Sequence, residues 1–160
     1  MVVYPPNNAF LHQAAPMVFL AGSIEMGKAR HWQQEMEAFF ETNYPHMIVA
    51  NPRRDNWDSS WEQSIQHSLF SEQVNWELDH LEQSQVVVFY FDETTKSPVT
   101  LLELGKILEH TDTKKVFVCC PYGFWRKGNV DIVCSRKNVV VYDDINALKQ
   151  GILERIAKTS

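Results

Sequence analysis

Apolar residues gather in five short runs, at residues 17–21, 47–50, 86–91, 116–120 and 139–142. Most are continuous rather than alternating, which is the pattern of strands covered on both faces. Between them, apolar positions recur at helical spacing. Trp32, Met36, Phe39 and Phe40 form one stripe inside a helix expected over about residues 27–42. A second helix is expected over about 60–83. A third runs from about 98 to 110, with Pro98 suited to a first turn. A fourth covers about 144–158, with Ile145, Leu148, Ile152 and Ile156 on one side. Strands alternating with helices predict an α/β fold, and right-handed crossovers restrict its topology. The expected architecture is a doubly wound five-stranded parallel sheet, flavodoxin-like or Rossmann-like, with helices on both faces. Residues 1–15 read as an irregular leader and 16–160 as one domain. No repeat or flexible linker divides them.

Composition narrows the class. The chain has 160 residues, 44% of them hydrophobic, enough for one well-buried core without staples. Fifteen Lys and Arg against twenty Asp and Glu leave a net charge of −5. An acidic chain without a basic block argues against nucleic-acid or acidic-membrane partners. The three cysteines (Cys119, Cys120 and Cys134) are too few for a disulfide framework and suit reduced core positions. No apolar run approaches a membrane span, and the N-terminus has no signal-peptide pattern. A cytoplasmic location is the expectation.

Ligands of open α/β sheets bind beyond the carboxyl ends of the strands. Three segments arrive there: Ala21 to Gly27, Asn51 to Trp57, and Asp92 to Gly105. The first matches neither GxGxxG nor a P-loop, and Glu25 would repel a phosphate. Gly22 either receives a small polar ligand or makes a plain turn. Glu103 faces either solvent or the cleft. Leu101, Leu104 and Leu108 mark the expected buried side of its helix, so Glu103 should point away from them. Gly105 would admit a close neighbour. Glu77 belongs either to an exposed acidic face with Glu72, Asp79 and Glu82, or to a pair in which one carboxylate attacks and another carboxyl protonates a leaving group. Trp57, Trp61 and Trp76 either stack a flat ring or pack internally. Six histidines without HExxH spacing give no zinc site, and no GxSxG elbow is present.

Several segments resemble the nucleoside 2-deoxyribosyltransferase family: Phe19-Leu20-Ala21-Gly22-Ser23, Asn51-Pro52-Arg53-Arg54, Gln73-Val74-Asn75-Trp76-Glu77-Leu78 and Phe124-Trp125-Arg126-Lys127-Gly128-Asn129-Val130-Asp131. The strongest is Ser97-Pro98-Val99-Thr100-Leu101-Leu102-Glu103-Leu104-Gly105. The resemblance implies a double displacement at the anomeric carbon of a nucleoside. Glu103 would be the nucleophile, and Glu77, or less favourably Asp79, would handle the base, with a raised pKa. Together with the readings above, the expected substrate contacts are Phe19, Gly22, Ser23, Asn51, Arg53, Trp57, Trp76, Asp79, Ser97 and Asn129. Asn129 would reach a neighbouring subunit's site, which implies a homodimer or larger homo-oligomer. The implied partners are a nucleoside and a free nucleobase, with no metal or organic cofactor. Ser97 stands where several members carry Asp, and Phe19 lies near a position often held by Tyr.

Base exchange between 2′-deoxyribonucleosides is therefore the leading expectation. The rivals are an N-glycosidase acting on a nucleoside or its 5′-monophosphate, which Arg53, Arg54 or Arg126 would favour, and a non-catalytic nucleotide-binding module. A flavodoxin-like electron carrier would need a Ser/Thr-rich phosphate loop after the first strand, and the chain has none.

Overall fold

The computed structural model of the chain describes residues 1–24, 29–54 and 58–157. Its strands are β1 (Val2–Val3), β2 (Met17–Gly22), β3 (Ile48–Ala50), β4 (Val86–Tyr90), β5 (Lys115–Cys119) and β6 (Val141–Tyr142). Its helices are α1 (Trp32–Asn43), α2 (Ser68–Gln83), α3 (Pro98–Leu108), α4 (Lys127–Ser135) and α5 (Ile145–Arg155). The strands form one parallel sheet in the order β1-β3-β2-β4-β5-β6. The doubly wound α/β fold is as expected, but the sheet has six strands, not five. The extra one lies in the stretch expected to be irregular. Val2 pairs with Val49 and Val3 with Ala50, in a run too short to carry a periodic signal.

Alternation across the sheet explains the continuous apolar runs. Val87 and Phe89 of β4 join Phe19 and Ala21 of β2 in one buried cluster with residues of α2, α3 and α4. Val86, Val88 and Tyr90 point the other way, with Val18 and Leu20, against α1 and α5. Each central strand thus buries both faces.

Two features of the helices differ from expectation. Helix α2 begins at Ser68 rather than near residue 60, because His67 Nδ1 accepts a bond from Phe70 N at 3.2 Å and caps it. Ser64 Oγ accepts from Gln66 N upstream, offering the backbone a turn instead of a helix. Helix α4 has no counterpart among the expected helices. It buries only Val130 and Cys134, while Ile132 and Val133 are exposed, so no apolar stripe announces it. Among the described residues, no helix is long and apolar enough to cross a membrane.

From β2 the chain crosses to β3 on one side, and later returns to β4 on the other. The carboxyl ends of β2 and β4 therefore flank the topological switch point, where open α/β sheets hold their ligands.

Candidate active site

The floor of the switch point is densely packed. A Cβ at Gly22 would lie 2.5 Å from both Trp32 Cζ2 and Tyr90 O. Trp32 stacks on Tyr90 with ring centroids 5.0 Å apart and donates from Nε1 to Ser23 O at 3.1 Å. The chain's own packing thus leaves no space for a side chain at Gly22. Ser23 Oγ accepts from Asp92 N at 2.9 Å and from Thr95 Oγ1 at 3.0 Å, and shares a short bond with Ser97 Oγ. Thr95 and Ser97 are bonded at 2.7 Å, closing a buried ring of three hydroxyls. Ser97 occupies the left-handed region, with φ 48°, just before Pro98 opens α3. Burial pushes the Asp92 carboxyl up, but bonds from Thr94 Oγ1 and the amides of Thr94 and Arg30 outweigh it and hold the group below its ordinary value.

Helix α3 turns Glu103 inward. Thr100, Glu103, Leu104, Ile107 and Leu108 form its buried stripe, whereas Leu102 is 74% exposed. The expectation that Glu103 points away from the leucine side is therefore corrected. Glu103 shares the stripe and is only 7% exposed. The sequence pattern misses this because a carboxylate does not register as a core residue, and the stripe read without it is rotated. A Cβ at Gly105 would meet nothing within 4 Å, so among the described residues no other backbone makes the close approach expected there.

Helix α2 brings up the second carboxylate. Glu77 is half-buried, and its Oε1 accepts from Gln73 Nε2 at 2.7 Å. Burial raises its pKa to about 7, with the Gln73 bond pulling the other way. Burial raises Glu103 further, to about 8, helped by the charge of Glu77. The two carboxyls therefore feel one another in a dry setting, where they resist ionising together. A pair that carries one proton offers one ionised carboxylate and one acid.

The remaining expected residues fall into distinct places. Asn51 is buried at the end of β3. It donates to Glu37 Oε1 at 2.6 Å and accepts from Arg53 N at 2.9 Å. Arg53 lines a cavity of about 380 Å³ with Tyr4, His31 and Glu37, and its Nη1 makes a 3.4 Å bond to Gln33 Oε1. Phe19 and Trp76 are fully or almost fully buried, their ring centroids 6.5 Å apart in the core. Asp79 is exposed on α2, and Asn129 is exposed in the first turn of α4. Trp57 and Glu25 lie outside the described residues. Sequence reasoning passes over Gln73 and Thr95 as site residues. Gln73 could have been found from its position four residues before Glu77, which puts both on one helix face. Thr95 carries no such signal, since only folding brings it to Ser23.

The three cysteines are free and buried, and burial pushes each thiol up to about 12. Among the described residues, no group of three or more His, Cys, Asp or Glu side chains is placed to hold a metal.

Comparison with known proteins bears on the same stretch of chain. A family model described as nucleoside 2-deoxyribosyltransferase like matches residues 15–124. That span contains both carboxylates and the hydroxyl ring, and it ends before Asn129. No curated protein matches the chain.

Proposed function

The chain belongs to the nucleoside 2-deoxyribosyltransferase-like family, and on that premise we propose that it transfers a 2-deoxyribosyl group from one nucleobase to another. Glu103 is the nucleophile and Glu77 the acid. What supports this reading is the coupling of two carboxyls whose midpoints are both raised and belong to the pair; the reactive form is the one with Glu103 ionised and the proton on Glu77. Glu103 attacks C1′, the C1′–N bond breaks, and the departing base takes the proton of Glu77. A second base then attacks C1′, Glu103 leaves, and Glu77 recovers a proton from the incoming nitrogen. Anionic Glu103 also stabilises the positive charge that develops on the sugar. The steps need no metal or organic cofactor. A homodimer or larger homo-oligomer, with Asn129 supplied across the subunit boundary, completes the proposal.

A hydrolytic reading on a nucleoside 5′-monophosphate has one observation behind it. The Arg53 guanidinium lines an open cavity, and its single side-chain bond among the described residues is a long one. A chromatographic assay separates the two. A 2′-deoxyribonucleoside incubated with a different free base yields a new deoxynucleoside under the transfer reading. Release of base without exchange, stimulated by a 5′-phosphate, selects hydrolysis. No reaction with either substrate contradicts both.

A further inference from the structure

Gln73 sits one helical turn before Glu77 and is 2% exposed. Its amide is used on both sides. Nε2 donates one hydrogen to Pro52 O at 3.1 Å and one to Glu77 Oε1 at 2.7 Å. Oε1 meets Arg54 Nη1 at 3.5 Å. The opposite amide orientation would set its carbonyl oxygen against two acceptors, so the network itself fixes which end faces Glu77. A hydrogen bond donated to Glu77 Oε1 occupies that oxygen as an acceptor, whether or not the carboxyl is ionised. The acidic hydrogen is left with one place to reside.

We propose that Gln73 is a positioning residue that reserves Glu77 Oε1 as an acceptor and confines the transferable proton to Oε2. Pro52 O and Arg54, just after β3, hold Gln73 in turn. The inference deepens the proposed function and rests on its assignment of Glu77 as the acid. Among the described residues, the charged groups around Glu77 are Glu103 from α3 and, behind Gln73, Arg54 from the segment after β3, which also meets Glu72 at 3.6 Å. Gln73 lends no charge of its own, only a donor.

The test is a titration of glutamate side-chain carboxyl carbons by NMR in the full-length protein. The Glu77 signal is identified by its loss in Glu77→Gln. Removing the donor with Gln73→Met, which keeps length and volume, disfavours the ionised carboxyl and moves the Glu77 midpoint to higher pH. It also lowers kcat by about tenfold or more while KM changes little. A structural role alone predicts the opposite sign, because a loosened site admits water and lowers the midpoint. A midpoint that falls or stays put overturns the proposal. Should Gln73→Met fail to fold, the wild-type protein still decides. The Gln73 side-chain amide signals then follow the Glu77 midpoint, and amide signals insensitive to that titration overturn the proposal. Turnover retained in Glu77→Gln would defeat the acid assignment while leaving the titration result on Gln73 intact, so the two failures are separable.

Discussion

Glu103 is a carboxylate kept where a leucine would be more stable, and its cost has a readable pH dependence. Its pKa and that of Glu77 are raised in the fold. The folded chain therefore binds more protons than the unfolded chain between the ordinary carboxylate range and about pH 8. Stability contributed by these groups is present at low pH and lost as pH rises through that window. Glu103→Gln removes part of the slope. The variant matches the wild type near pH 5 and is more stable above pH 8 by a few kcal/mol, at about 1.4 kcal/mol per pH unit. Thermal unfolding at the two pH values checks this. The same pair predicts a bell-shaped kcat profile, peaking between about 7 and about 8. On the acid side no carboxylate is free to attack, and on the alkaline side no acid remains. A kcat that does not fall on both the acid and the alkaline side of that range would contradict the shared-proton account. At this scale the sequence speaks through local motif: Glu103 and Glu77 stand out beside their apolar neighbours, but their burial does not. Burial depends on which stripe of the helix the rest of the fold covers.

At the level of elements, the end of β2 is fixed by crowding around Gly22 and the start of α3 by a left-handed backbone at Ser97. Gly22→Ala sets a Cβ against Tyr90 O, a backbone atom that cannot swing aside. It should destabilise the fold by about 2–3 kcal/mol, measurable by urea unfolding. Ser97 carries left-handed strain at φ 48° while its hydroxyl ties into Ser23 and Thr95. Ser97→Gly relieves the strain and loses the hydroxyl, whereas Ser97→Ala keeps the strain and loses it too. Ser97→Ala should therefore be less stable than Ser97→Gly by about 1 kcal/mol. Equal stabilities would mean that the backbone there carries no strain. The long helices and central strands are legible because each buries a repeating face. Helix α4 and strand β1 are not, since one buries two side chains and the other spans two residues.

Across the whole molecule, the sheet separates two clusters, and the carboxylates belong to the side covered by α2, α3 and α4. Asn129 is exposed at the start of α4, and in the proposed assembly it serves another subunit. Mixing inactive Glu103→Ala with inactive Asn129→Ala should then restore about a quarter of wild-type turnover, since half the dimers are mixed and each carries one intact site. Mixing that restores nothing would place Asn129 in its own subunit's site or outside it. The most direct test of the central claim is the mass of the intact protein, quenched in acid during turnover of a 2′-deoxyribonucleoside without an acceptor base. The account predicts a species heavier by one deoxyribosyl group, carried on the peptide that contains Glu103 and absent from Glu103→Gln. Turnover with no such adduct, and undiminished in Glu103→Gln, would contradict it.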